Sequence, residues 1–126
     1  MISYCDTSYY FGTYRGTTIP GNEIGKRLQD ASEKVDLLTF NRIYKLGGFN
    51  ELTKYEKEKV QRATCLIADF YKTNEQELNM IVSSYSIDGT SATFFSSKNV
   101  SYISGIYVPT LALQLLDATC LRNVDF

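Results

Sequence analysis

The chain has 126 residues, of which 44% are hydrophobic and 21% are charged, and these proportions are typical of one soluble globular domain. Its formal net charge of −1 gives no basic surplus with which to grip phosphates, so tight binding to nucleic acid is not expected. No apolar run approaches the roughly 20 residues that span a bilayer, and the first residues do not resemble a signal peptide. We therefore expect a protein made in the cytosol that makes no contact with a membrane.

The first segment, residues 1–21, is predicted to be irregular or extended, because three glycines interrupt it. Its aromatic side chains are too many for so short a segment to bury by itself. We expect it either to lie as an arm on a neighbouring chain or to cover the chain's own first helix. The candidate interface residues in this segment are Tyr9, Tyr10, Phe11 and Tyr14.

A helical hairpin is predicted over residues 22–74, and its first helix is capped by Asn22 and stopped by Gly47-Gly48. One apolar stripe with spacings of three and four residues defines the buried face of this helix. The stripe consists of Ile24, Leu28, Ala31, Val35 and Leu38, and Phe40, Ile43 and Leu46 extend it.

The second helix of the hairpin opens with a capping box formed by Thr53 and Glu56, and it closes at Thr73-Asn74. Its charged face is predicted to be solvated. Its apolar face is predicted to consist of Val60, Ala63, Thr64, Ile67 and either Phe70 or Tyr71.

Residues 80–96 change to a period of two and are predicted to form a β-hairpin, with Asp88-Gly89 as a type I′ turn. A lone two-stranded ribbon is marginally stable and has unpaired edges. We expect the ribbon either to lie at an interface with another subunit or to cover the open end of the helical bundle. The candidate interface residues are Tyr85, Ile87, Asp88, Gly89, Phe94 and Phe95.

A last helix is predicted over residues 107–119, with Pro109 in its first turn, and a tail follows over residues 120–126. We expect the tail either to dock on a partner or to be disordered. The apolar face of the helix is predicted to consist of Leu111, Ala112, Leu115 and Leu116. The candidate interface residues in the tail are Leu121, Arg122, Val124 and Phe126.

The predicted fold class is therefore mainly α, as a single domain over residues 1–126. It is a small bundle of about three main helices with an inserted β-hairpin and extended N- and C-terminal arms.

Several sequence patterns that are typical of enzymes are absent, although the fold could still bring distant acidic residues together. There is no histidine, which excludes Ser-His-Asp and Cys-His nucleophiles and removes the commonest metal ligand. No glycine-rich phosphate loop occurs. Cys5, Cys65 and Cys120 are far apart in the sequence, so we interpret them as buried apolar residues instead of a disulfide framework or a zinc site. We expect no enzyme activity, no cofactor and no metal.

Five stretches in chain order resemble one known family: YYFGTYRGTTI, LQDASEKVDLLTFNRI, LTKYEKEKVQRATCLIADF, SYSIDGTSATF and LQLLDATCL. Together they are similar to the head–tail connector (adaptor) proteins of long-tailed phages and prophages of Gram-positive bacteria. The most specific pieces are ASEKVDLLTFNRI and the Ser-x-Ser-x-Asp-Gly-x-Ser pattern of the predicted hairpin.

The resemblance implies a structural protein of the virion, located at the head–tail junction after assembly in the host cytoplasm. Its subunits are expected to form a homo-oligomeric ring of twelvefold order between the portal protein and a tail-side neck or stopper protein. DNA would pass through the ring without sequence-specific binding. Two alternatives remain, namely another neck or tail-end ring protein and a small cytosolic protein-binding module.

Overall fold

The structure is a computed structural model that describes residues 3–76, 78, 100–103, 105–119 and 121. Four α-helices and one β-hairpin make up the described part, and none of these helices is long and apolar enough to cross a membrane. A mainly helical bundle with a two-stranded antiparallel hairpin confirms the predicted fold class. The elements are a π-helical turn (Tyr9–Thr13), α1 (Ile24–Leu38), α2 (Arg42–Lys45), a 3-10 turn (Phe49–Glu51), α3 (Lys54–Thr73), β1 (Val100–Ile103), β2 (Ile106–Pro109) and α4 (Thr110–Asp117).

The start of α1 differs from the sequence prediction. Asn22 does not cap the helix; Glu23 occupies the N-cap position and makes no capping bond with its side chain. The carbonyl of Pro20 instead accepts hydrogen bonds from the backbone N–H groups of Glu23 and Ile24, at 3.0 and 3.1 Å. A backbone turn thus satisfies donors for which a side-chain cap was predicted.

The first helix also ends earlier than predicted. Phe40 and Asn41 have φ angles of 57° and 58°, in the left-handed region, so the stripe that was expected to reach Leu46 is broken. The N–H of Asn41 donates to the carbonyl of Asp36 at 2.9 Å, which is the long bond of a Schellman motif. Asparagine tolerates this conformation, whereas phenylalanine adopts it only at a steric cost.

The predicted stop at Gly47-Gly48 is confirmed, although it ends α2 and not α1. Both glycines have a φ of 108°, and the N–H of Gly48 donates to the carbonyl of Ile43 at 2.9 Å. The capping box of α3 is confirmed as well: Thr53 Oγ1 accepts from the N–H of Glu56, and the Glu56 carboxylate accepts from the N–H of Thr53.

The core lies where α1 and α4 pack against α3, and the N-terminal segment covers it. Every residue of the predicted α1 stripe up to Leu38 is buried, and so is the α3 face, with Phe70 chosen over the half-buried Tyr71. Cys5 and Cys65 are buried, as predicted. The described part of the chain leaves no buried side-chain nitrogen or oxygen without a hydrogen-bond partner.

Ion pairs join the start of α1 to the end of α3. The Glu23 carboxylate accepts hydrogen bonds from Lys72 at 3.0 Å and from Arg27 at 3.1 Å, and Arg27 also pairs with Glu75 at 3.0 Å. The bonds from Lys72 and then Arg27 lower the pKa of the Glu23 carboxyl. These pairs link the two long helices at one end of the bundle.

The hairpin that the structure describes, β1–β2, comes later in the sequence than the predicted one, and the predicted hairpin, residues 80–96, lies outside the described residues. In β1–β2, Val100 pairs with Pro109 and Ile103 pairs with Ile106 in antiparallel register. The hydroxyl of Tyr71 on α3 donates to the carbonyl of Tyr107 at 2.7 Å, which ties the hairpin to the bundle.

The last helix begins at Thr110, three residues later than predicted, because residues 107–109 belong to β2. Its buried face also differs from the prediction: Leu113 is buried, whereas Leu111 is exposed. Apolar residues occupy most positions of this two-turn helix, so its sequence alone does not select one face. Packing against α3 selects Ala112, Leu113 and Leu116.

Candidate interaction surfaces

The N-terminal segment, defined here as residues 3–19, is held on its own chain by Tyr10. The side chain of Tyr10 is fully buried, and its hydroxyl donates to Asp69 Oδ1 on α3 at 2.6 Å. The same hydroxyl accepts from the N–H groups of Ile19 at 3.1 Å and Thr18 at 3.3 Å. One phenol oxygen therefore joins α3 to the middle of the segment and to its C-terminal end.

Tyr14 shares the carboxylate of Asp69 with Tyr10. Its hydroxyl donates to Asp69 Oδ2 at 2.9 Å, and the two tyrosine rings stack with centroids 5.5 Å apart. Burial and the bond to Asp69 raise the pKa of Tyr10 to about 12, and the same causes raise the pKa of Tyr14. Both tyrosines are therefore neutral hydrogen-bond donors at neutral pH.

The beginning of the segment is bound to α1. The N–H of Tyr4 donates to Ser32 Oγ at 3.0 Å, and the Tyr4 hydroxyl donates to the carboxylate of Asp36. Burial raises the pKa of the Asp36 carboxyl. These contacts place the segment on the chain's own first helix, which was one of the two alternatives expected, and the bonds to Asp69 place it on α3 as well. They also show that its backbone is not fully extended, because residues 9–13 form a π-helical turn.

The predicted interface residues fall into three groups. Phe11 is exposed, and Tyr9 and Tyr14 are half-buried, so these three side chains retain some surface. Tyr10 and Leu121, which were predicted as interface candidates, are instead buried in the subunit's own core. The others lie outside the described residues: Tyr85, Ile87, Asp88, Gly89, Phe94, Phe95, Arg122, Val124 and Phe126.

An exposed apolar surface surrounds the α1–α2 turn, and the sequence pattern did not predict it. It consists of four side chains, which we call the turn surface: Leu37, Phe40, Tyr44 and Leu46, with exposed fractions of 51%, 41%, 81% and 55%. The left-handed residues at the turn rotate α2, so Ile43 points into the core while Phe40 and Leu46 point outwards. Leu37 and Tyr44 are apolar residues that lie outside the predicted buried stripe. These additional apolar residues were the feature of the sequence from which an exposed surface could have been predicted.

A groove of about 580 Å³ lies between the N-terminal segment and the α2 region. Tyr44 of the turn surface lines one side of it, and Tyr4 and Cys5 line the other. The ring of Tyr4 stacks on Phe49 with centroids 5.6 Å apart, which positions the segment at the edge of the groove. The groove is therefore continuous with the turn surface.

A second exposed aromatic surface lies on the hairpin. Tyr102 and Tyr107 are directly opposite each other on β1 and β2, their ring centroids are 4.6 Å apart, and Tyr102 is 61% exposed. We call this pair the hairpin surface. Among the strands that the structure describes, β1 and β2 pair with each other.

The described residues contain no group of three or more His, Cys, Asp or Glu side chains that could hold a metal ion. Comparison of the chain with protein-family models, with curated proteins and with solved structures gives no match.

Proposed function

We propose that this protein is a structural, non-enzymatic subunit of a phage neck, a head–tail connector. Copies of it would form a ring, expected to be twelvefold, that joins the portal to the tail-side neck proteins and extends the DNA channel at the head–tail junction of the virion. The sequence resemblance supports this function, and so does the mainly helical bundle with a hairpin, which is the architecture that the resemblance implies.

The observation that carries the proposal is the presence of two separate exposed apolar surfaces on one small subunit. A cyclic ring is built from head-to-tail contacts, in which one patch of a subunit meets a different patch of the next. The turn surface, centred on Tyr44, and the hairpin surface, centred on Tyr102, lie on different elements and offer such a pair. Aromatic side chains are also the residues that most often anchor protein interfaces.

The charge of the chain is compatible with a channel for DNA. A formal net charge of −1 avoids the dense positive surface that would hold a polyanion by releasing its counterions. The described ion pairs also place cations next to carboxylates, as Lys72 and Arg27 beside Glu23 illustrate. DNA would then slide through the ring without sequence-specific contacts.

The test is co-expression with the portal protein of the same genome, followed by affinity purification and particle imaging. The wild-type chain is expected to co-purify with the portal as a ring. The double variant Leu37→Asp/Tyr44→Asp is expected to fold but to lose the ring, because two charges would be buried between subunits. Tyr55→Asp is the matched control, since Tyr55 is an exposed aromatic residue on α3 outside both surfaces.

Two results would count against the proposal. One is a wild-type chain that shows no association with its portal under any assembly condition. The other is a double variant that forms rings as readily as the wild type, which would remove the turn surface from the interface.

A second candidate function is a small protein-binding module, and the groove beside the turn surface favours it. An apolar groove of this size is suited to an extended or helical peptide of another protein. A monomer that does not bind the portal but binds a peptide through Tyr44 would support the function of a protein-binding module. Another neck or tail-end ring protein would instead form rings that bind a partner other than the portal.

A further inference from the structure

Two thiols that are far apart in the sequence meet in the core. Cys5 belongs to the N-terminal segment and Cys65 to α3, and their Sγ atoms are 3.6 Å apart. Cys65 is fully buried and Cys5 is 4% exposed. Both are free thiols.

An approach route reaches one of the two. Cys5, together with Ser3, Tyr4 and Asp6, lines the groove of about 580 Å³ described above. A small disulfide compound that enters the groove therefore meets Cys5 first, whereas Cys65 lies behind it. The backbone next to Cys5 is bound to α1 by the hydrogen bond from Tyr4 N–H to Ser32. Because breaking that bond is a small local opening, the sulfur of Cys5 can become exposed without unfolding of the whole domain.

We propose that Cys5 and Cys65 form an oxidative modification site, in which a low-molecular-weight disulfide such as oxidised glutathione converts the two thiols into an intramolecular disulfide. The thiolate of Cys5 attacks one sulfur of glutathione disulfide, which forms a mixed disulfide and releases one glutathione thiolate. The thiolate of Cys65 then attacks the sulfur of Cys5 and releases the second glutathione. Two protein thiols are oxidised, one glutathione disulfide is reduced, and the two thiol protons pass to the two glutathione products.

The reaction is expected to be slow at neutral pH. The hydrogen bond with Cys5 and burial raise the pKa of the Cys65 thiol. The Cys65 thiolate, which attacks in the second step, is therefore present in only a small fraction of molecules. The rate should therefore increase as the pH rises.

The disulfide would fix the N-terminal segment to α3. It closes a loop of about 60 residues, and cross-linking a loop of this length removes much of the freedom of the unfolded chain. The midpoint temperature of unfolding, Tm, should rise by about 10 °C for a domain of this size.

Formation of the disulfide does not depend on the proposed function. The conditions under which the disulfide would form in nature do rest on the proposed function. A virion component is assembled in a reducing cytoplasm and later reaches an oxidising medium, where disulfides form and persist. The bond would then strengthen the subunit after release of the particle. Experiments on the purified chain test the site without the portal, so their failure leaves the ring proposal untouched.

The experiment treats the reduced full-length chain with oxidised glutathione, blocks the remaining thiols with iodoacetamide and maps the peptides without reduction. We expect a Cys5–Cys65 link in the native protein and the stated rise in Tm. Cys120→Ser is the matched control and should form the same link. Cys5→Ser should show no link, and Cys65→Ser should retain a glutathione adduct on Cys5.

Two results would overturn the proposed site, and a third would refute its stabilising effect. One is a stable adduct on Cys5 in the wild-type chain with no subsequent link to Cys65. Another is a link that forms only in denaturant or that includes Cys120. The third is a correctly linked protein whose Tm is unchanged or lower, which would mean that the disulfide distorts the native packing.

Discussion

The bond between Tyr10 and Asp69 is expected to hold the N-terminal segment on the bundle, and Tyr10→Phe tests it. Phenylalanine keeps the ring in place but removes the hydroxyl that donates to the Asp69 carboxylate at 2.6 Å. A hydrogen bond to a charged group contributes about 1.5–3 kcal/mol. The change also leaves the buried N–H of Ile19 without its acceptor, which costs about 1–3 kcal/mol.

These two costs overlap, because Asp69 retains Tyr14 as a donor and because local water can enter after the change. We therefore expect Tyr10→Phe to lower the free energy of unfolding by about 3 kcal/mol, which corresponds to a fall in Tm of about 10 °C. Urea titration followed by circular dichroism measures the free energy directly.

Tyr14→Phe is the matched control. It removes one bond to the same carboxylate from a half-buried residue and leaves no backbone N–H unpaired, so a loss of about 1 kcal/mol is expected. A double-mutant cycle of Tyr10→Phe with Asp69→Asn should show a coupling energy of at least about 1 kcal/mol. If the free energy of unfolding of Tyr10→Phe lies within about 0.5 kcal/mol of the wild-type value, the segment is not held through this bond.

Two further predictions concern the same core. Gly16→Ala should lower the free energy of unfolding by about 2 kcal/mol, because the added Cβ would lie 2.2 Å from Cζ of the buried Tyr10 ring. Gly12→Ala, which meets nothing within 4 Å, should show no loss in the same urea titration, and equal losses for the two variants would refute the close approach. Alkaline pH should also unfold the protein. Burial raises the pKa of Tyr71 to about 12, as burial and Asp69 do for Tyr10, so both side chains keep their protons longer in the folded than in the unfolded chain. Their contribution is complete below about pH 10 and is lost between about pH 10 and 12. Tyr71→Phe should flatten this loss when ellipticity is recorded against pH, and an unchanged profile would contradict the assignment.

Local patterns in the sequence predicted the elements whose formation depends on near neighbours. The capping box at Thr53 needs only residues three apart, and the buried face of α3 follows from the period of the helix. Gly47-Gly48 stops a helix because glycine adopts positive φ without a steric cost. These rules operate over a few residues, so one sequence is enough to apply them.

Interactions between near neighbours did not determine the structure where several conformations of a segment were compatible with its sequence. A continuous helix through Phe40 and Asn41 satisfied the apolar period, yet a Schellman motif ends α1 there. Tertiary packing needs Ile43 in the core, and breaking the helix turns it inwards while Phe40 and Leu46 become exposed. The turn surface is a consequence of that break and could not be read from the stripe.

By itself the sequence determined that the chain is a mainly helical domain without histidine chemistry, because composition and helical period depend on residue types and short spacings alone. Only the tertiary structure decided which distant side chains meet. Tyr10 finds Asp69 across 59 residues, and Cys5 finds Cys65 across 60. No local energy term favours either pair; each exists because the packing of the N-terminal segment against α3 brings the two partners to the same place.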